Sequence, residues 1–379
     1  MGHMESRSRG TWTIWYEMPR GIDGRRRQKS FTIRGTKKDA QNELRRLEFH
    51  IQEGTHTETT KITVGEYLGQ WLQHAESAVS RKTYQEYQSI VLHHVIPSLG
   101  GNRLSQLSPL DVQTYYQELL KCGRLDGKGG LSAQTIRHHH TLLHRALQQA
   151  VGWRLLANNP VDAVTPPRVE RKELQVLDEA QTSLLLDYTK GTRLYIPILI
   201  AVTSGMRRGE ILGLQWEDVD FEAATLAVRR SLEQVKDGLH FKPPKNGKGR
   251  VVQLPQITIS ALRRQKVEQV ENRLRLGAEY QENGLVCPRA DGTPGPPSNL
   301  SKLFCELVKR HPDLPRIHLH SLRHGYATLS LGRGIHPKIV SEGLGHSGIA
   351  ITLDLYSHAV PALRADAASI FDVILQQDQ

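Results

Sequence analysis

Residues 158–173, NNPVDAVTPPRVERKE, constrain this chain more than any other stretch. They carry three prolines and then a run of charge. Proline fixes φ and removes a backbone donor, so neither a helix interior nor a central strand passes through such a segment. The chain must therefore be built from separately packed units on either side of a linker over residues 161–175. A length of 379 residues suits two or three domains of ordinary size.

Upstream, TWTIWYEM (residues 11–18) and QKSFTI (28–33) are short and rich in β-branched and aromatic residues. The turn-rich PRGIDGRRR lies between them, with Asp23-Gly24 inside it, which predicts a β-hairpin. A helix is predicted from Lys37 to Glu53, with Thr36 as N-cap and Gly54 as stop. Residues 2–4, GHM, read as an expression scar and are set aside. Residues 20–38 hold eight Lys or Arg against one Asp. Residues 1–60 are thus expected to form a small β-plus-helix module whose basic loop meets nucleic acid, with Arg25, Arg26, Arg27 and Lys29 as candidate contacts.

Residues 61–160 read as all-helical. Thr63 stands three residues before Glu66, a capping-box spacing, and Val64, Tyr67, Leu68, Trp71 and Leu72 recur at helical period. Further helices are predicted over 80–95, 109–121 and 132–151. Basic and aromatic residues interleave with apolar ones in RKTYQEYQ and TIRHHHTLLHRAL, which makes Arg81, Lys82 and Arg137 candidate DNA contacts. The row His138–His140 is read as solvated or phosphate-facing, because adjacent helical residues point apart. Residues 176–379 mix helices with short strands such as TLAVRRSL and RVVQLP, so a mostly helical α+β domain is expected there.

The net charge of +11 suits a polyanionic partner. The excess is spread along the chain, at +4 over residues 1–60, +3 over 61–165 and +4 over 166–379. That distribution fits a long contact surface better than one basic arm. No segment approaches the ~18 consecutive apolar residues of a membrane helix, and no signal peptide is visible. Cys122, Cys287 and Cys305 form no C-x-x-C pair, so a reducing, cytoplasmic setting is expected.

Four patches beyond the linker call for a joint explanation: TSGMRRGEILGLQWEDVD (203–220), KPPKNGKGRVVQLP (242–255), HLHSLRHGYAT (318–328) and GLGHSGIAITLDLYSH (343–358). Each alone has an ordinary reading. Arg207 and Glu210 suit an i,i+3 ion pair, and Asn246-Gly247 suits a lysine-rich hairpin turn. His318, His320 and His324 leave only two histidines on one helical face, with no H-E-x-x-H motif, so no metal and no cofactor are expected. Together the patches say more. His320 and Arg323 share a face, with Leu322, Tyr326 and Leu329 expected on the buried side. Ser347 suits the N-cap of a helix running through Tyr356.

In these residues the chain resembles the tyrosine recombinase, or phage integrase, family. The family's pattern is an arginine in a T-G-x-R-x-x-E-like segment, a hairpin lysine, H-x-x-R, L-G-H, and a tyrosine about ten residues later. Here these are Arg207, Lys245, His320 with Arg323, His346 and Tyr356, in the family's order. Ser204 departs from the more usual Thr or apolar residue, outside the chemistry. The resemblance implies a site-specific recombinase with three parts: an arm-type DNA-binding module, a helical core-binding domain, and a catalytic domain ending in an assembly helix over residues 361–375. It further implies strand cleavage and rejoining through a 3′-phosphotyrosine, with no ATP. Arg207 and Arg323 would bind the phosphate oxygens, a geometry that suits planar guanidiniums. His320 would take the Tyr356 proton, Lys245 would protonate the leaving 5′-oxygen, His346 would hydrogen-bond the phosphate, and Glu210 would orient an arginine. His318 and His324 are left as structural. The implied partners are double-stranded DNA with core and arm sites, further copies in a tetramer on synapsed DNA, and a DNA-bending factor or excisionase. A monomer is implied in free solution, associated with the nucleoid when on DNA. A type IB topoisomerase-like enzyme and a catalytically inactive DNA-binding regulator are the alternatives.

Overall fold

The computed structural model describes residues 3–8, 10–18, 27–52, 61–170, 175–245 and 247–355. The chain divides into two compact units, Met1–Arg171 and Lys172–Gln379.

The first unit opens with an antiparallel sheet of β1 (His3–Ser8), β2 (Thr11–Met18) and β3 (Arg27–Arg34), in that order. The predicted hairpin is β2 and β3, with Ile14 opposite Phe31. β1 takes in two of the residues set aside as a scar, since His3 pairs with Trp15 and Met4 with Ile14. Its sequence, HMESRS, is almost wholly exposed and has no apolar alternation, so backbone pairing alone marks it as a strand. Helix α1 (Lys37–Gln52) follows. Thr36 Oγ1 accepts from the Asp39 amide at 3.3 Å, and Asp39 Oδ2 accepts from the Thr36 amide at 2.8 Å. Ile14 on β2 and Ala40 on α1 are fully buried. Lys29 is exposed on β3. Arg25, Arg26 and the Arg27 side chain lie outside the described residues.

Five helices complete this unit: α2 (Val64–Ala78), α3 (Arg81–Ile90), α4 (Ile96–Leu99), α5 (Pro109–Cys122) and α6 (Ala133–Gly152). Thr63 and Glu66 form the predicted capping box on α2, and the periodic residues Val64, Tyr67, Leu68, Trp71 and Leu72 are all buried. A π turn over Val91–Val95 joins α3 to α4. Pro97, which has no N–H to offer the helical ladder, falls just after it. Arg81, Lys82 and Arg137 are exposed. The histidine row is corrected. His139 is buried in the stripe of Ile136, Leu143, Ala146 and Ala150, at helical spacing on α6. Its Nδ1 lies 2.8 Å from the Tyr115 hydroxyl, which satisfies both groups.

In the second unit, α7 (Glu179–Thr189), the apolar α8 (Tyr195–Ser204) and the short α9 (Arg208–Leu212) precede five strands. These are β4 (Val219–Asp220), β5 (Thr225–Val228), β6 (Ser231–Val235), β7 (Gly238–Lys242) and β8 (Arg250–Gln253). The order β4-β5-β8 makes one sheet, and β6-β7 make a separate hairpin. α10 (Gln256–Leu276), α11 (Pro297–Arg310), α12 (Leu319–Gly332), α13 (Pro337–Leu344) and α14 (Ile349–Leu355) complete it. Ile198, Leu199, Leu226, Ile259, Leu262 and Phe304 lie in its core. Among the described residues, no helix is long and apolar enough to cross a membrane.

Acid is expected to weaken the first unit through His139. Burial, then the charges of His94 and His138, lower its pKa from 6.5 to about 4. The unfolded imidazole therefore gains a proton that the folded one refuses until near pH 4. Stability is constant above 6.5 and is lost as pH falls from 6.5 toward 4. Thermal melts across that window should show the loss. His139→Gln, which does not titrate, should melt lower at pH 7.5 yet lose less on acidification; an identical acid drop in the variant would contradict the assignment.

Candidate active site

Every described residue of the site lies in the second unit, and two left-handed glycines set its geometry. Gly205 (φ 61°) turns the chain out of α8, so that Arg207 stands at the head of α9. Gly345 (φ 66°) does the same at the end of α13, just before His346. The Gly345 amide donates to the Glu342 carbonyl at 2.9 Å and the His346 amide to the Ser341 carbonyl at 3.0 Å, a Schellman closure.

That closure leaves three successive carbonyls beyond it, and three arginines take them. Arg250 Nε donates to the Gly343 carbonyl at 2.7 Å. Arg323 Nη2 donates to the Leu344 carbonyl at 2.7 Å. Arg207 Nη2 donates to the Gly345 carbonyl at 3.2 Å. Cations at a helix C-terminus also complement its dipole. Arg323 further donates from Nη1 to the Gly205 carbonyl at 2.7 Å, which ties the two glycine turns together. Glu210, 1% exposed, accepts from the Arg207 amide at 2.9 Å and from Arg207 Nη1 at 3.0 Å. The expected orienting role of Glu210 thus has a geometric basis.

α12 carries His320 and Arg323 as expected, but its buried side is wider than the predicted stripe. Leu322 is buried, Tyr326 and Leu329 are only half-buried, and Arg323 itself is 3% exposed. Packing of α8 and α13 against α12 encloses more than one of its faces. His320 is exposed at the mouth of the site, with its ring 4.9 Å from that of His324. Burial of part of the ring, then Arg323 and Arg207, lower the His320 pKa. Burial, then the same two arginines, bring that of His346 to about 4. The arginines' share of both shifts reflects a positive field, which favours an anion. His346 Nδ1 lies 2.8 Å from Thr352 Oγ1 on α14. That bond orients the ring.

Three readings need correction or fall beyond view. α14 begins at Ile349, so the N-cap position falls on Gly348 and Ser347 is one residue short of it. Lys245 is not at a hairpin tip: β7 pairs with β6 and β8 with β5, and the lysine sits exposed on the link between the two sheets. Pro243 and Pro244 have no N–H to extend either ladder. Tyr356 and residues 361–375 lie outside the described residues. Two residues escaped the sequence reading, Arg250 and Thr352. A first strand position and a mid-helix threonine carry no motif of their own. The one available signal for Arg250 was Glu210, a buried carboxylate that needs more cation than one half-exposed arginine supplies.

Comparison with known proteins gives a consistent picture. Residues 175–362 match the model of the phage integrase family, and residues 63–120 match the phage integrase N-terminal SAM-like domain. A tyrosine recombinase XerC-like protein of Caldanaerobacter subterraneus is 30% identical over 354 residues, covering 88% of each chain. The Tn1549 transposon integrase, solved in complex with a circular intermediate DNA, superposes with a TM-score of 0.69 at 22% identity. It covers 81% of this chain and 99% of that one. A lambda integrase dimer bound to a core site gives 0.55 at 17% identity, over 93% of this chain and 94% of that one.

The glycine turns yield a graded expectation. An alanine in the left-handed region costs roughly 1–2 kcal/mol by itself. At Gly205 the new Cβ would also lie 2.6 Å from Leu344 Cδ2 and 2.7 Å from Tyr326 Cδ1, whereas at Gly345 the nearest atom, Arg250 Nη1, is 3.1 Å away. Thermal melts should therefore show Gly205→Ala losing more stability than Gly345→Ala; the reverse order would contradict the packing described.

Proposed function

This chain belongs to the phage integrase family of tyrosine recombinases, enzymes that cleave and rejoin DNA strands, and we propose that it recombines double-stranded DNA at the attachment sites of a mobile element, with Tyr356 as its nucleophile. The observation that carries the residue assignment is the junction of Arg207, Arg323 and His346 on one helix end. Three groups suited to phosphate oxygens, brought from α9, α12 and the turn after α13, meet at that end.

The Tyr356 hydroxyl oxygen attacks phosphorus and its proton passes to His320. The bond from phosphorus to the 5′-oxygen breaks, and Lys245 gives that oxygen a proton. The new ester keeps the bond energy, so the 5′-hydroxyl of another strand reverses the step without ATP. Arg207 and Arg323 hold the negative charge that grows on the non-bridging oxygens. The exposed Lys245 link is free of ladder pairing, which suits a donor that meets the leaving oxygen when DNA arrives.

The remaining assignments rest on the family and on charge. Residues 1–60 bind arm sites through Arg25, Arg26, Arg27 and Lys29, and residues 61–160 bind the core site through Arg81, Lys82 and Arg137. Residues 176–379 perform the chemistry, and the tail over 361–375 joins four copies on synapsed DNA. The free protein is monomeric and cytoplasmic, and a DNA-bending factor or excisionase assists it.

A nicked duplex that traps the covalent intermediate tests the central assignment. Tyr356→Phe should bind DNA with an unchanged gel-shift midpoint and form no protein–DNA adduct. An adduct at wild-type level would move the nucleophile elsewhere, Tyr326 being the next to test.

The pH profile tests His320. Only its neutral form accepts a proton, and its pKa is held below 6.5. The rate of adduct formation at limiting DNA should be flat from neutral pH down to 6.5 and fall only below it. An acidic limb centred above 6.5 would remove His320 from that role.

A further inference from the structure

We propose that Arg250 is a positioning residue for this reaction, sharing Glu210 so that the charge of the Arg207 guanidinium is not fully compensated and stays aimed at the phosphate. This rests on the reading of Arg207 as a phosphate-binding group.

The geometry is that of one anion shared by two cations. Arg250 grips Glu210 with two parallel bonds, Nη1 to Oε1 at 3.1 Å and Nη2 to Oε2 at 2.7 Å. The same two oxygens accept from Arg207, Oε1 from Nη1 at 3.0 Å and Oε2 from the backbone amide at 2.9 Å. Glu210 is 1% exposed and the Arg250 side chain 10%. With Arg207 alone, the buried carboxylate would close into a neutral pair and spend the positive charge that the phosphate needs. With Arg250 sharing the carboxylate, two guanidiniums face one anion, and Arg207 keeps net charge for a ligand. Burial pushes the Glu210 pKa up, but Arg250 first and Arg207 second more than offset it, so the carboxyl stays below its ordinary range.

The third contact gives position as well as charge. Arg250 Nε reaches the Gly343 carbonyl. One side chain therefore fixes three things to one another: the base of β8, the head of α9 with Arg207, and the end of α13 with His346. A glycine at 345 leaves room for it, since a Cβ there would stand 3.1 Å from Nη1 and 3.2 Å from Cδ. Lys245 lies five residues upstream of Arg250, so the same anchor holds one end of the lysine link.

A double-mutant cycle on the full-length protein tests this, read as the single-turnover rate of adduct formation on nicked duplex. Arg250→Ala should slow the step by about 10- to 100-fold, the range seen when outer partners of a ligating side chain are removed. The gel-shift midpoint should hardly move. Adding Arg250→Ala to Arg207→Ala should cost little more, because the first acts through the second. The Arg250→Ala defect should also shrink on a duplex whose scissile phosphate is a neutral methylphosphonate, as should that of Arg207→Ala; a merely structural role would leave it the same on both substrates. Should Arg250→Ala not fold, Arg250→Lys keeps the charge without the parallel grip and should show the same pattern in milder form. Losses that multiply, or that are equal on both substrates, would overturn the positioning role. A wild-type rate in Arg207→Ala would instead overturn the reading on which it rests.

Discussion

The end of α13 is the constraint on which the rest of the site depends. A helix terminus leaves four carbonyls without helical partners. Here the Schellman closure takes those of Ser341 and Glu342, and Arg250 and Arg323 take those of Gly343 and Leu344. Arg207 takes the next, from Gly345. The three donors come from β8, α12 and the head of α9. A local need of the backbone thus draws together elements far apart in the chain and leaves His346 within the field of all three arginines.

Two kinds of force meet at that ring. The arginine cluster stands against the apolar packing of α8, α12 and α13, where Leu344 and Leu322 are buried. Like charges so close repel, and the shared carboxylate of Glu210 offsets only part of that. The carbonyl dipoles offset a further part, since each presents its negative end to a guanidinium. The histidines reflect burial first and that field second: His320, His324 and His346 all have lowered pKa values, with a neighbouring arginine among the lesser causes. A bound phosphate diester would relieve that field.

Much of this was readable from residues alone, where local rules and tertiary structure agree. The capping box at Thr63 and Glu66 and the stripe of α2 appear as cap chemistry and periodicity predict. Arg207, Lys245, His320, Arg323 and His346 stand out in the sequence by spacing and resemblance. What escaped was whatever a neighbour decides. β1 is a strand only because β2 offers it an edge. His139 is core because Tyr115 supplies a partner. Arg250 and Thr352 matter through Glu210 and His346, which lie 40 and 6 residues away in the chain. Ser347 fell short of the helix because the left-handed turn at Gly345 delays the start of α14 to Ile349.

The link that carries Lys245 joins strands of two different sheets, each with its register set elsewhere: β7 by β6, and β8 by β5. Residues gained or lost between Lys242 and Arg250 would shift neither ladder. The link can therefore change in length while Arg207, Arg250 and Arg323 keep their places.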